Sequence, residues 1–532
     1  MTGQGRPTND QAAEDPTRGF MTDAPLEPVG EQEEPAVEQV LETAEAGQAV
    51  VAPTDPAAAA AAPAVAAAAL GILDTRPVPA APREYHFPPF ERHVLDTGMT
   101  VVSSHVPGRP LLLAQLIIRG DAGGGAAGER PELGGVTVLT ARALLEGTAK
   151  RDATELVEAS ERLGSELSAD AGWDSFVVSV EVPRARLVPA LELLAEVALE
   201  PSFPENEVDR LREERINDLK QARADPRRRA ERVFPEAIYA DGSAYRRPLA
   251  GIEESVPLLS REALVERHRS LTHPTGATLV VAGDLSGIDV VDRITQALAG
   301  FTGNGSPSAH ERTEATAKDG GPRVVLVDRP GSPQSEIRIG HIGLPRHIPD
   351  FHAVSVLNTL LGGLFNSRLN LLLREQRGYT YGVHSSFDLR RGAGPFVVRC
   401  AVQSEVTVPA VQDILSELRR IREVPVAPAE LQGARDYLVG VFPLRFETAG
   451  QVAAAIGGLV VFDLPDDELD RYRPEISAVT AEDVLRSAQE HIRPDEAAIV
   501  IVGDAASFEA GFRDAGLGEV TVVRDGVAAE VE

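Results

Sequence analysis

Cysteine, lysine and histidine are the scarce residues of this chain, and each scarcity closes off a line of chemistry. The single cysteine, Cys400, excludes an intramolecular disulfide and any zinc site built from thiolates, and it points to a reducing compartment. Only Lys150, Lys220 and Lys318 among 52 basic residues are lysines, a bias that reflects base composition rather than function. There are 11 histidines, but none between His105 and His268, so a stretch of more than 150 residues has no imidazole. No G-x-S-x-G is present. DAGGGAAGER (121–130) lacks the Lys-Ser/Thr of a phosphate-binding loop and reads as a flexible surface loop. The first twenty residues have no apolar core behind a basic start, and the Ala-rich run at 57–72 is interrupted by Pro63 and too weakly apolar to span a bilayer, so the expectation is a cytoplasmic chain.

Acid is abundant. The formal net charge of the 532 residues is -29, and the first 80 residues hold 13 acids against 3 arginines. This balance excludes nucleic acid and anionic membrane as partners; it suits a cationic peptide, or solubility alone. The Pro-, Ala- and Glu-rich composition predicts a disordered tail over 1–83. The polar, Gly/Ser-rich stretch 302–321 reads as an interdomain linker.

A repeat sets the architecture. SREALVERHRSLTHPTGATLVVAGD ends at Asp284 and TAEDVLRSAQEHIRPDEAAIVIVGD ends at Asp504, aligned without a gap at an offset of 220. Ser260 and Thr480 occupy the N-cap positions, Pro274 and Pro494 the turn, and Gly283-Asp284 and Gly503-Asp504 the strand ends. A two-copy repeat of this length indicates duplicated domains. The expected fold is α+β: two homologous α/β-sandwich domains, 84–301 and 322–520, facing each other as a clamshell, with a short tail at 521–532.

Two stretches bear on chemistry. GGVTVLTARALLEGT (134–148) frames a mostly apolar helix with glycines, yet Val136 to Leu145 contains no His, Cys, Asp or Glu. LGGLFNSRLNLLLREQRGYTYGVHSSF (361–387) reads as a helix capped by Asn366 or Ser367, with Leu369, Leu372 and Leu373 inward. Arg374 and Arg377 suit its C-terminal dipole and Gly378 its left-handed end. Tyr379 and Tyr381 then begin a strand, on one face. Arg374 and Tyr381 together offer donors for a peptide carbonyl or an oxyanion; the plainer alternative is an Arg capping its own helix and a Tyr packed on the sheet. His341, His347 and His352 match no helical ligand spacing and read as structural or exposed.

The duplication, the repeated helix–turn–strand ending in Gly-Asp, Gly-Gly-Leu-Phe-Asn-Ser-Arg-Leu, and ARALLEGTAKRDA followed by LGSELSADAGWDSFVVSVEV resemble the pitrilysin/insulinase family of zinc peptidases, especially its processing-peptidase-like members. The resemblance implies H-x-x-E-H in the first domain of active members: two zinc-binding histidines on one helical face, a glutamate that activates the metal-bound water, and a carboxylate ligand on a later helix. Aligned on Gly135 and the Glu-Gly-Thr at 146–148, those positions fall on Val138, Ala141 and Arg142, and the later ligand on or near Asp218. The site is therefore degenerate, with no metal or cofactor expected on this chain. Arg142 either fills the vacated metal position and pairs with Asp218, or the two are independent surface charges. Arg374 and Tyr381 correspond to the family's substrate-holding Arg/Tyr pair. The resemblance thus implies a non-catalytic, peptide-binding subunit whose homologous partner brings zinc to a heterodimeric endopeptidase. The alternatives are a scaffold subunit without a peptidase role and a metallopeptidase active alone through an atypical site.

Overall fold

The computed structural model describes residues 81–120, 124–302, 315–318 and 323–524, so most of the expected tail and linker lies outside the described residues. Two six-stranded mixed sheets account for the β structure. The first half runs β1 (Phe90–Val94), β2 (Thr100–His105), β3 (Leu111–Arg119), α1 (Val136–Ala143), α2 (Ala153–Leu163), β4 (Glu166–Ala171) and β5 (Ser175–Pro183). It continues through α3 (Leu187–Leu199), α4 (Glu205–Ala224), α5 (Pro226–Ile238), α6 (Arg261–Leu271), β6 (Ala277–Gly283) and α7 (Val290–Ala297).

The second half repeats the plan: β7 (Arg323–Asp328), β8 (Gln334–Ile342), α8 (Phe351–Asn358), β9 (Val383–Phe387), β10 (Pro395–Gln403), α9 (Thr407–Glu423) and α10 (Pro428–Val441). Then come α11 (Ala449–Phe462), α12 (Glu468–Ala478), α13 (Ala481–His491), β11 (Ala498–Gly503), α14 (Ala505–Ala515) and β12 (Glu519–Val523), the last running through residue 520.

The strand orders are β1-β2-β6-β3-β5-β4 and β12-β7-β11-β8-β10-β9. Five positions correspond one to one, and the sixth does not: β1 enters antiparallel to β2 from the N-terminal side, whereas β12 joins β7 in parallel from the C-terminal side. Central strands are apolar because both faces are covered; every residue of ATLVVAG in β6 and of AIVIVG in β11 is buried. The repeated Gly-Asp has a steric cause. A Cβ on Gly283 would lie 2.2 Å from the carbonyl oxygen of Leu111, and one on Gly503 2.8 Å from Ser335 Oγ. The expected caps are present, Ser260 accepting from Ala263 N and Thr480 from Asp483 N.

The two halves exchange a helix. α5, from the first half, lies on β8 and β11 of the second sheet, and α11, from the second half, lies on β3 and β6 of the first. Ala230, Val233, Phe234 and Ile238 of α5 form one core cluster with Ile342, Val397, Val500 and Val502. AGQVAAAIGGLVVF in α11 is apolar nearly all round, as a helix buried between two layers requires. Its small residues allow close approach. Gln115 Nε2 on β3 donates to Ala453 O at 2.6 Å, and a Cβ on Gly457 would meet that nitrogen at 2.7 Å.

Candidate functional site

α1 begins at Gly135, whose φ of 96° only glycine adopts freely. The orphan N–H groups of this helix start find a side-chain acceptor six residues upstream. The carboxylate of Glu129 accepts from Gly135 N at 2.9 Å and from Thr137 N at 2.7 Å, and takes Arg247 Nη2 at 2.6 Å. Its side chain is fully buried. Arg267, also buried, donates to Thr137 Oγ1 at 2.9 Å and to Gly125 O at 3.0 Å. The loop that carries Glu129 corrects the surface-loop reading. Gly124, Gly125 and Ala126 are buried, and added Cβ atoms on Gly124 and Gly125 would fall 1.8 Å from Ile118 O and 2.0 Å from Trp173 O. Residues 121–123 lie outside the described residues. Gly124 and Gly125 admit tight backbone packing rather than mobility.

On the helix face where the metal motif would lie, Val138 is half-buried, Ala141 buried and Arg142 exposed. Valine and alanine present no donor atom, so this face does not fit a zinc ion. Arg142 does not pair with Asp218. Its Nη2 donates to Glu214 at 3.0 Å, one helical turn earlier on α4. Asp218 is engaged by Arg215 and by Arg228, the latter at 2.7 Å. Arg210 extends the array, reaching Glu146 at 2.7 Å, Glu207 at 2.7 Å and Glu214 at 2.6 Å. These three carboxylates hold its pKa above the ordinary arginine value. This face of α1 is thus bordered by paired arginines and carboxylates. Arg142 and Glu214 are each nearly half exposed, so their pair contributes little stability.

In the second half, α8 continues into a π-helical turn, Thr359–Gly363, and the short helix Arg368–Asn370 into another, Leu371–Gln376. Ser367 takes the N-cap position, Leu369 and Leu373 are buried, Leu372 is half-buried, and Gly378 has the expected left-handed φ of 66°. Gly362 permits contact with β9; a Cβ there would lie 2.6 Å from Ser385 N. Sequence reasoning missed Asn370, a buried amide. Its Nδ2 donates to Val383 O at 2.8 Å and to Leu364 O and Ser367 Oγ at 3.1 Å, while Oδ1 accepts from Val383 N at 3.0 Å. One side chain therefore ties the two ends of the 364–383 segment together.

That segment presents Arg374 and Tyr381. The Arg374 guanidinium lies over the Phe365 ring at 3.8 Å, a cation–π stack. Its nearest carboxylate, Glu375, is 3.7 Å from Nε, and Nη1 is buried without a hydrogen-bond partner among the described residues. Arg377 instead binds Asp413 at 2.8 Å. Tyr381 corrects the strand expectation. β9 starts only at Val383, because a Thr380 turn intervenes, with Thr380 Oγ1 bonded to both Gly382 O and Gly382 N. Tyr381 is 95% exposed, so it is not packed on the sheet.

Two of the three clustered histidines are tied into the fold. His341 is buried, its Nδ1 bonded to Ile342 O at 2.8 Å and its Nε2 accepting from Arg493 N at 3.0 Å, and burial lowers its pKa to about 4. His352 packs on Phe351 and Tyr472, and His347 is exposed. Among the described residues, Asp350, Glu490 and His491 alone converge as a metal ligand set would, but Asp350 is already hydrogen-bonded to His491 Nε2 at 2.8 Å and Ser487 Oγ at 2.7 Å. No described helix is long and apolar enough to cross a membrane.

Comparison with known proteins agrees with this geometry. Residues 101–251 match the family described as Insulinase (Peptidase family M16), and residues 259–438 match the Peptidase M16 inactive domain. An uncharacterized zinc protease of Mycobacterium leprae is 25% identical over 366 residues, 69% of this chain and 81% of that protein. A non-peptidase homolog, YmxG, of Helicobacter pylori is 25% identical over 334 residues, 61% of this chain and 74% of that protein. The fold is shared with a crystal structure of a peptidase M16 inactive domain from Pseudomonas fluorescens, at a TM-score of 0.71 and 24% identity over 78% of this chain and 98% of that one. With the duplicated sheets, a helix α1 without metal-binding side chains and matches over both halves, the chain belongs to the insulinase family of peptidases as a peptidase-like member.

Proposed function

We propose that this chain is the non-catalytic, substrate-binding subunit of a heterodimeric zinc metalloendopeptidase of the cytoplasm, with zinc and the general base supplied by a homologous partner. One observation carries the reading. The buried Nη1 of Arg374 has no hydrogen-bond partner among the described residues, and Tyr381, seven residues on, is exposed, on a molecule whose α1 offers no metal donor. Unsatisfied donors of this kind are costly unless a ligand completes them. A peptide carbonyl, and the oxyanion it becomes on attack, supplies the missing acceptor. The edge position of β4 supports an extended substrate: it ends its sheet and lies against α1, so its outer backbone groups suit an added strand.

The test is co-expression with a homologous subunit that carries H-x-x-E-H, followed by peptide cleavage by each chain alone and by the mixture. Cleavage by the mixture alone is expected. Arg374→Ala and Tyr381→Phe should each lower its kcat by roughly a hundredfold, the scale of losing one oxyanion donor. Unchanged activity in both variants would leave a scaffold role in its place; stoichiometric zinc and cleavage by this chain alone would overturn the proposal outright.

A further inference from the structure

The segment that holds Arg374 also exposes more apolar surface than a surface segment ordinarily does. Phe365 is 64% exposed, Leu371 42% and Tyr381 95%, all within 17 residues. Asn370 draws Leu364 and Val383 to a single amide, so Phe365 and Tyr381 leave the fold from neighbouring points. One face of the Phe365 ring is taken by the Arg374 guanidinium at 3.8 Å; most of the remaining ring is open to solvent. Phe365 thus helps to orient a guanidinium whose buried Nη1 has no hydrogen-bond partner among the described residues, and it offers an aromatic surface beside that cation. A ligand that satisfies both presents a hydrogen-bond acceptor adjoining a bulky apolar group.

We infer that Phe365 is a specificity-determining residue: it seats a large apolar, preferably aromatic, side chain of an extended peptide next to the carbonyl bound by Arg374. The inference rests on the reading of Arg374 and Tyr381 as peptide-binding groups and adds to it a preference in the peptide itself.

The test uses the full chain and two fluorescein-labelled dodecapeptides with Ser/Thr/Gln flanks, identical except for one central position, phenylalanine in one and alanine in the other. Fluorescence anisotropy should show the phenylalanine peptide bound about tenfold more tightly, the upper range of an aromatic-pair contribution. Phe365→Ala should bring the two affinities to within about twofold, and Phe365→Leu should keep an intermediate preference, because leucine retains apolar area without the π face. Arg374→Ala should weaken both peptides. Binding that needs Arg374 but shows no preference, or a preference that survives Phe365→Ala, overturns the assignment of Phe365 alone. Absence of binding, or binding indifferent to both Arg374→Ala and Tyr381→Phe, overturns the parent reading with it.

Discussion

Glu129→Ala is the sharpest test of how α1 is held without its chemistry. The carboxylate is fully buried and accepts three hydrogen bonds, two from the start of α1 and one from Arg247. Its charge also opposes the burial that lowers the pKa of Arg267. Removal strands two backbone N–H groups and takes its carboxylate partner from the Arg247 guanidinium, whose Nη2 keeps the neutral Ala126 O. Breaking a buried pair from one side costs about 3–5 kcal/mol, and the cap loss falls inside that range rather than adding to it. Urea unfolding can be followed through Trp173, the single tryptophan, whose ring lies 5.6 Å from the Arg247 guanidinium. The expected result is a fall of about 3–5 kcal/mol in unfolding free energy, with the double variant Glu129→Ala/Arg247→Met losing less than the sum of its parts. A loss below about 1 kcal/mol for Glu129→Ala would refute the reasoning, because a buried carboxylate with this bonding cannot be removed at a surface residue's cost.

Two further outcomes follow from the packing. His341 is held near pKa 4 when folded against about 6.5 when unfolded, so the unfolded chain takes up its proton first; stability from this site is complete above about pH 6.5 and falls by roughly 3 kcal/mol as pH drops toward 4. His341→Gln should flatten that acid limb in urea titrations between pH 7 and 4, and an unchanged slope would remove His341 from the account. Gly457→Val places branched carbon against Gln115 Nε2 and Ile117 Cδ1, at 2.7 and 3.1 Å from the new Cβ, and should destabilise by about 1–3 kcal/mol as α11 shifts from the first sheet; a thermal melt equal to wild type counts against that seat.

Much of the architecture is legible in sequence because the duplication writes it twice. The helix–turn–strand units ending in Gly-Asp fold as expected, down to the caps at Ser260 and Thr480. The helix exchange is not legible: an apolar helix such as α11 announces that it is buried but not which sheet buries it. The π turns escape for a related reason, since inserting one residue into a turn leaves the helical pattern nearly intact. Arg142 shows the resolution limit of alignment. It names the right helix and the right face of α4, but the side chain is long enough to choose Glu214 over Asp218, a turn away. Glu129 was missed because its role joins a glycine-rich loop to a helix six residues on, and composition alone suggested mobility there.

Burial divides the positions of α1 into two groups. Val136, Leu139, Ala141 and Ala143 belong to the first-half core, and Thr137 is locked to Arg267, so most of the helix is tied to packing. Val138 and Arg142 are the less buried positions of the helix and carry little of that packing. Substitution at these two positions should therefore disturb the fold least, while the helix itself cannot be removed without opening the core. In the second half Asn370 and Gly362 serve packing, and the surface they hold displays Phe365, stacked on Arg374, and the almost fully exposed Tyr381. α1 is held by the core it helps to build, and the tie of Asn370 to Leu364 and Val383 holds the exposed side chains of the second half in place.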